Sequence, residues 1–176
     1  KTSKSRIFTG LRWSAFRNVS QLVFSFIVPV ILARLLLPED FGLVAMATVF
    51  TGISSVLLDF GTGSAIIQKL EQDIEFQSSI FWFNIFMGLL IWGIIIIVAP
   101  YIGILYNNMV VVQIIYVSSI SIILQSINIL PTALLKKEMD FYSLAISTLV
   151  SQMIGAVIAL VMAVNNFGFW SIVFYS

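Results

Sequence analysis

The chain alternates between long apolar runs and short polar breaks. Five complete runs can be drawn: about Leu11 to Leu37, Phe41 to about Leu58, about Phe76 to Ile102, Val110 to Leu135 and Phe141 to about Val164. The second has an extension towards Lys69, and a sixth run begins near the end of the chain. A helix needs about 20 apolar residues to cross a bilayer. Because lipid offers no partner to an open strand edge, the runs predict membrane-spanning helices and an all-α, multi-span bundle.

The break between the first two runs reads "LPED" and predicts where the second helix starts. Pro38 suits the first turn of a helix, because its missing N–H costs nothing there. Glu39 and Asp40 would then lie beside the positive end of that helix dipole. The break is therefore expected to be a hairpin between two membrane helices.

Basic residues predict the orientation of the chain in the membrane. All but one of them fall before or early in the first run, between the second and third, or between the fourth and fifth: Lys1, Lys4, Arg6, Arg12, Arg17, Lys69, Lys136 and Lys137. Only Arg34 falls on the other side. Because cytoplasmic loops carry an excess of lysine and arginine, the pattern predicts a multi-pass protein with a cytoplasmic N-terminus, and the breaks "LPED", "YNN" and "NNFG" are expected to face outward.

Composition agrees with a membrane protein and narrows the chemistry. Hydrophobic residues make up 60% of the chain and charged residues 10%, against about 25% charged in soluble domains. Cysteine and histidine are absent, which removes thiol and imidazole metal ligands and the commonest general base. With no phosphate-binding glycine loop and a net charge of +1, we expect no enzymatic activity, no cofactor, no metal site and no nucleic-acid partner.

The chain also reads as part of a larger protein. It begins with Lys1 rather than methionine, and it ends at Ser176 inside an apolar run. We therefore expect residues 1–176 to be one N-terminal transmembrane bundle, with about five complete spans and the start of a sixth.

Polar residues recur at helical spacing within the runs, which places them on single helix faces. The faces comprise Ser14, Arg17, Asn18, Gln21 and Ser25; Thr48, Thr51, Gly52, Ser55 and Asp59; Gln77, Asn84 and Gly88; Ser118, Ser121, Gln125, Asn128 and Thr132; and Ser147, Thr148, Ser151, Gln152 and Gly155. Two interpretations stay open: helix packing, with hydroxyls bonded across the interfaces, or a water-filled cavity. The arginine and the long amides favour a cavity, for which the candidate lining residues are Arg17, Gln21, Ser25, Ser55, Asp59, Asn84, Gln125, Asn128 and Gln152.

Asp59 has two interpretations of its own. Gly61 and Gly63 follow it and suggest a helix break, where freed backbone groups could face a cavity. Asp59 could then bind a coupling cation, H⁺ or Na⁺, or pair with Arg17. Alternatively, it is an interfacial carboxylate that faces cytoplasmic water.

Three segments, "ILARLLLPEDFGLVAMATVF", "LLDFGTGSAIIQK" and "LPTALLKKEMDFYSLA", resemble the Wzx-type polysaccharide flippases, close to their colanic-acid-exporter-like branch. That superfamily also contains MATE exporters and lipid II flippases. The resemblance implies the N-terminal half of a MATE-like two-bundle transporter that alternates its access. It implies transport of undecaprenyl-diphosphate-linked oligosaccharide across the bacterial inner membrane for surface polysaccharide or lipopolysaccharide biosynthesis, with membrane lipids as the other partner. Cavity cations hold the diphosphate in the lipid II branch, and Arg17 is the basic residue here that fits this role.

Two other functions stay open from the residues alone. A cation-coupled small-molecule exporter on the same scaffold would need an acidic residue deep in the cavity, where Asp59 is the nearest candidate. A non-transporting scaffold that partners a polysaccharide polymerase would instead bury its polar faces between helices.

Overall fold

A computed structural model describes residues 3–58 and 74–175 of the chain; for residues 3–9, 11 and 55 it describes the backbone only. Within those ranges the structure is helical and contains no strand, which confirms the all-α prediction. The helices are α1 (Ser3–Leu35), α2 (Pro38–Leu58), α3 (Ile74–Leu105), α4 (Met109–Lys137), α5 (Phe141–Val164) and the short α6 (Trp170–Val173).

Five of these helices, α1 to α5, are long and apolar enough to cross a membrane. Their ends differ from the apolar runs by a few residues, most at α1, which continues as a basic helix back to Ser3. The predicted start of the second helix is confirmed, and the hairpin itself stays a prediction. Helix α2 begins at Pro38, and Oδ2 of Asp40 accepts a hydrogen bond of 3.2 Å from the Leu37 N–H just before the helix. Helix α6 is four residues long, so the sixth span stays a prediction.

Three helices end on a residue with a positive φ angle. Met139 (φ 56°) follows α4, and the next N–H, of Asp140, donates to the Leu135 carbonyl at 2.9 Å. This six-to-one hydrogen bond is the Schellman motif, which satisfies a carbonyl at the end of the helix. The same motif closes α3 at Asn107 (φ 51°) and α5 at Asn166 (φ 61°). These left-handed residues allow connections of only a few residues between membrane-length helices.

Asp140 then starts α5. Its carboxylate accepts hydrogen bonds from the Ser143 hydroxyl at 2.6 Å and from the Ser143 N–H at 3.1 Å. Those two bonds lower the pKa of Asp140 below its usual value, because they favour the ionised carboxylate. The break "KKEMD" thus combines two lysines at the negative end of α4 with an aspartate that caps α5.

The chain forms two compact units. The first unit comprises residues 1–41 and 135–176, which hold α1, α5 and α6. The second unit comprises residues 42–134, which hold most of α2 and α4 and all of α3.

In the first unit, α1 and α5 pack side by side in the same direction. At their N-terminal ends a Cβ on Gly10 would lie 2.8 Å from the Phe141 ring. Further along, the core joins α1 to α5 through Val28, Leu32, Ala156, Ala159 and Ala163. Alanines on α5 let the two backbones approach, as small residues do in membrane helix pairs. Successive spans of one chain cross the membrane in opposite directions, so the first and the fifth have to run in the same direction, as they do here.

In the second unit, α3 and α4 form an antiparallel pair. A Cβ on Gly103 would meet Val112 beside the connection, and a Cβ on Gly88 would lie 2.6 Å from Ser126 far along the pair. Buried residues recur at steps of three, four or seven: Asn84, Gly88, Ile91, Ile95, Ala99 and Ile102 on α3, and Ile115, Ser119, Ile122, Ser126 and Ala133 on α4. That spacing is typical of a coiled-coil seam. We call these residues the α3–α4 seam.

Candidate functional site

Hydroxyl groups on the polar faces are already hydrogen-bonded within their own helices. Ser25 donates to the Leu22 carbonyl at 3.0 Å, and Ser121 donates to the Ser118 carbonyl at 2.7 Å. Equivalent bonds, to a carbonyl three or four residues earlier, are made by Thr48, Thr51, Ser147 and Thr148 on these faces. The buried Ser119 and Ser126, which lie beside the predicted face of α4, make them as well. This differs from the expected bonds across helix interfaces, because the backbone carbonyl is the nearest acceptor to a short side chain. The amides and the arginine are therefore the more informative polar groups.

In the first unit, three of the candidate lining residues with an amide or guanidinium group lie on α1 and α5. Arg17 and Gln152 are half-buried, and Gln21 is exposed. The Arg17 Nε and the Gln152 Oε1 are each buried without a hydrogen-bond partner among the residues that the structure describes. Gln21 and Gln152 each lie about three turns beyond the Gly10–Phe141 contact, so the parallel packing puts them at similar height. A guanidinium donor and amide groups thus follow the same pair of helices.

In the second unit, the candidates separate into two environments. Asn84 is 2% exposed and lies in the α3–α4 seam, where its Nδ2 has no partner among the described residues. Gln125 and Asn128 are exposed, on a different side of α4 from the buried Ser126. Neither amide has a hydrogen-bond partner within the described ranges, so both can bind a ligand without first breaking a bond in this unit.

For two of the candidate lining residues, the structure does not describe the side chain. Ser55 lies in the last turns of α2, where only the backbone is described. Asp59 lies outside the described residues, and both of its interpretations stay predictions.

Two further polar groups were not predicted from the sequence. The Trp92 Nε1, about two turns from Asn84 on α3, and the Ser171 Oγ on α6 are buried without a partner in the part of the chain that the structure describes. Each stands alone among apolar neighbours, so no polar pattern marked it. Unpartnered buried donors are costly, which makes both positions sensitive to what lies beside them.

Taken together, the groups are suited to binding rather than to proton transfer. Neutral amides can donate to and accept from hydroxyl groups, and a guanidinium binds phosphate oxygens with paired N–H donors. Among the residues that the structure describes, no cluster of three or more aspartate, glutamate, histidine or cysteine side chains could hold a metal ion.

Comparison with known proteins decides the family. Residues 31–176 match the family described as polysaccharide biosynthesis protein. The chain belongs to this family. The match confirms the resemblance to Wzx-type polysaccharide flippases and, with the five long apolar helices, makes the chain part of a multi-pass bacterial membrane protein.

Curated relatives in this family carry transport and biosynthesis names. The chain is 29% identical over 160 residues to the succinoglycan biosynthesis transport protein ExoT of Rhizobium meliloti, covering 91% of this chain and 32% of that protein. It is 25% identical over 138 residues to the lipopolysaccharide biosynthesis protein WzxC of Escherichia coli, covering 78% of this chain and 28% of WzxC. An uncharacterized membrane protein from the cps region of Klebsiella pneumoniae is 33% identical over 96 residues, 54% of this chain and 20% of its own length.

The chain therefore spans about a third or less of the length of these relatives. No solved structure matches it significantly.

Proposed function

We propose that the full-length protein moves an undecaprenyl-diphosphate-linked oligosaccharide across the bacterial inner membrane for surface polysaccharide biosynthesis, and that it catalyses no covalent reaction. The observation that carries this proposal is the similarity to a named succinoglycan biosynthesis transport protein over 91% of the chain. Five membrane-length helices with polar groups on single faces are consistent with it.

In this proposal each unit binds the substrate through its own polar groups. Arg17 binds a diphosphate oxygen, while Gln21 and Gln152 on the same helix pair bind sugar hydroxyls. In the second unit, Gln125 and Asn128 present exposed amides to the sugar. Ser25, Ser55 and Asp59 complete the proposed set. Asn84, which the sequence also suggested, is buried in the α3–α4 seam and is proposed to act within the helix pair instead. The prenyl tail stays towards lipid, because these faces leave the apolar sides of the helices free.

We also propose that the N-terminus is cytoplasmic. Oδ1 of Asp40 lies 3.3 Å from where a Cβ on Gly168 would be, so the "LPED" and "NNFG" breaks meet at one end of the first unit. Lys136 and Lys137 lie at the other end, beside the start of α5. By the positive-inside rule the lysine end is cytoplasmic. The N-terminal end of α1 lies at the same end, because Gly10 packs against Phe141. A proton or sodium ion is the proposed coupling ion, with Asp59 as its candidate ligand.

The exposed amides of α4 give the first test. In a strain that lacks the gene, the full-length protein with Gln125→Leu and Asn128→Leu is expected to restore about a tenth of the surface polysaccharide restored by the wild type. Two lost hydrogen bonds of about 0.7 kcal/mol each account for a loss of this size. Surface polysaccharide is measured per unit of membrane-inserted protein. Gln113→Leu is the matched control, because Gln113 is an exposed amide on another side of the same helix.

Two results would contradict the proposal. If Gln113→Leu lost as much surface polysaccharide as the double variant, the polar face of α4 would have no special role. A deletion strain that keeps its surface polysaccharide but becomes sensitive to small toxic compounds would instead indicate a small-molecule exporter.

A further inference from the structure

The two arginines of α1 near its basic end face different directions. Arg12 and Arg17 are five residues apart, which turns their side chains by about 140° around the helix axis. Arg17 belongs to the polar face with Asn18, Gln21 and Ser25, whereas Arg12 does not. Arg12 is exposed, and it stands at the start of the apolar run that begins at about Leu11. A residue at the start of a membrane-length run lies near the level of the lipid phosphates.

A groove lies against α1 at this level. Its volume is about 610 Å³, and its described lining residues are Arg12, Trp13, Ala15 and Phe16. Ligand pockets have volumes of about 300–1,000 Å³. Trp13 is fixed in place, because its ring meets Phe16 edge to face at 5.8 Å and Tyr142 of α5 at 4.8 Å. The described part of the groove thus combines the Arg12 guanidinium with an apolar wall that ring contacts hold in place.

An apolar stripe continues from the groove along the same face of α1. The positions after Arg12 at steps of four and three are Phe16, Val19, Val23, Phe26 and Val30, with exposures of 52%, 59%, 46%, 72% and 44%. One leaflet of the hydrocarbon core is about 15 Å thick, or about ten helical residues. A chain that starts at Arg12 and crosses one leaflet would therefore lie along Phe16, Val19 and Val23.

We propose that Arg12, this groove and the stripe beneath it bind an anionic phospholipid. The guanidinium binds the phosphate of the headgroup, and one acyl chain lies along Phe16, Val19 and Val23. The apolar wall favours an amphiphile over a free phosphate ion, because a soluble anion gains nothing from exposed aromatic rings. The site is separate from the proposed substrate path, because Arg17 faces another side of the helix. It does not depend on the proposed transport activity.

Native mass spectrometry of the full-length protein, released from nanodiscs of phosphatidylcholine and phosphatidylglycerol, tests this site. Arg12→Gln is expected to lower the amount of retained phosphatidylglycerol about five-fold, from a contribution of about 1 kcal/mol per basic residue at a membrane surface. Phe16→Ser should lower it as well. Arg34→Gln, which removes the same charge at the other end of α1, should leave it unchanged. Unchanged melting temperatures in pure phosphatidylcholine show that the variants are folded.

Three outcomes would overturn the proposal. One is equal retention of phosphatidylglycerol by Arg12→Gln and the wild type. Another is an equal loss in Arg34→Gln, which would mean a general charge effect. The third is a loss of added polyprenyl diphosphate, but not of phosphatidylglycerol, in Arg12→Gln, which would assign Arg12 to the transported substrate.

Discussion

Replacement of Gly88 by leucine is expected to prevent stable accumulation of the full-length protein in the membrane. A Cβ at this position would lie 2.6 Å from both the Cβ and the Oγ of Ser126, closer than real Cβ contacts occur. Ser126 is 1% exposed, so it has no free space into which to move. The helices would have to separate along the α3–α4 seam. Overpacking of this kind costs about 1–3 kcal/mol for smaller insertions, and a whole leucine exceeds that range.

The measurement is the amount of folded protein in detergent extracts, followed by size-exclusion chromatography with fluorescent detection. Gly93→Leu is the matched control, because a Cβ on Gly93 of the same helix meets nothing within 4 Å. It should accumulate like the wild type. Normal amounts of monodisperse Gly88→Leu protein would show that α3 and α4 do not pack through this glycine.

Arg17→Ala is expected to reduce surface polysaccharide at least ten-fold while the protein still inserts into the membrane. Hydrogen bonds to charged groups contribute about 1.5–3 kcal/mol, and a factor of ten in rate corresponds to about 1.4 kcal/mol. The Arg17 side chain is only half-buried, so its removal leaves no sealed cavity. Surface polysaccharide and the lipid-linked intermediate are measured in a deletion strain that expresses each full-length variant.

The controls separate substrate binding from a structural role. Arg17→Lys keeps the positive charge but loses the fixed guanidinium geometry, so partial recovery is expected. Arg34→Ala removes an exposed arginine at the far end of the same helix and should leave polysaccharide unchanged. With a binding defect, lipid-linked oligosaccharide accumulates while the protein level stays normal. Full polysaccharide output from Arg17→Ala at normal protein level would remove Arg17 from the proposed site.

Much of the fold could be predicted from the sequence, because the membrane restricts what a chain can do. Long apolar runs have to be helices in lipid, and proline and acidic residues mark a helix start. Helix α2 accordingly begins at Pro38, with Asp40 bonded to Leu37. The turns that end the helices were less predictable. Met139 adopts a left-handed conformation that glycine or asparagine normally fills, so its side chain gave no signal.

The candidate site was predictable in its composition but not in its environments. On α4, Ser118 and Ser121 lie on the predicted polar face. Ser119 and Ser126 each follow a residue of that face by one position, so they lie on the adjacent row of the helix. Only the second pair is buried in the α3–α4 seam, and adjacent rows with the same residue type cannot be distinguished by periodicity. Asn84 illustrates the same limit, because its amide resembled those of Gln125 and Asn128 in sequence but is buried against α4.

In the proposed mechanism, the polar faces of the helices carry a lipid-linked oligosaccharide across the membrane. The most direct test uses full-length protein in sealed vesicles that contain lipid-linked oligosaccharide in both leaflets. A glycosidase added outside trims the outer-leaflet sugar at once and the inner-leaflet sugar only after it has been moved across. The wild type should expose the inner pool much faster than vesicles that contain Arg17→Ala or no protein. An inner pool that stays protected with the wild type, as it does in protein-free vesicles, would contradict the claim.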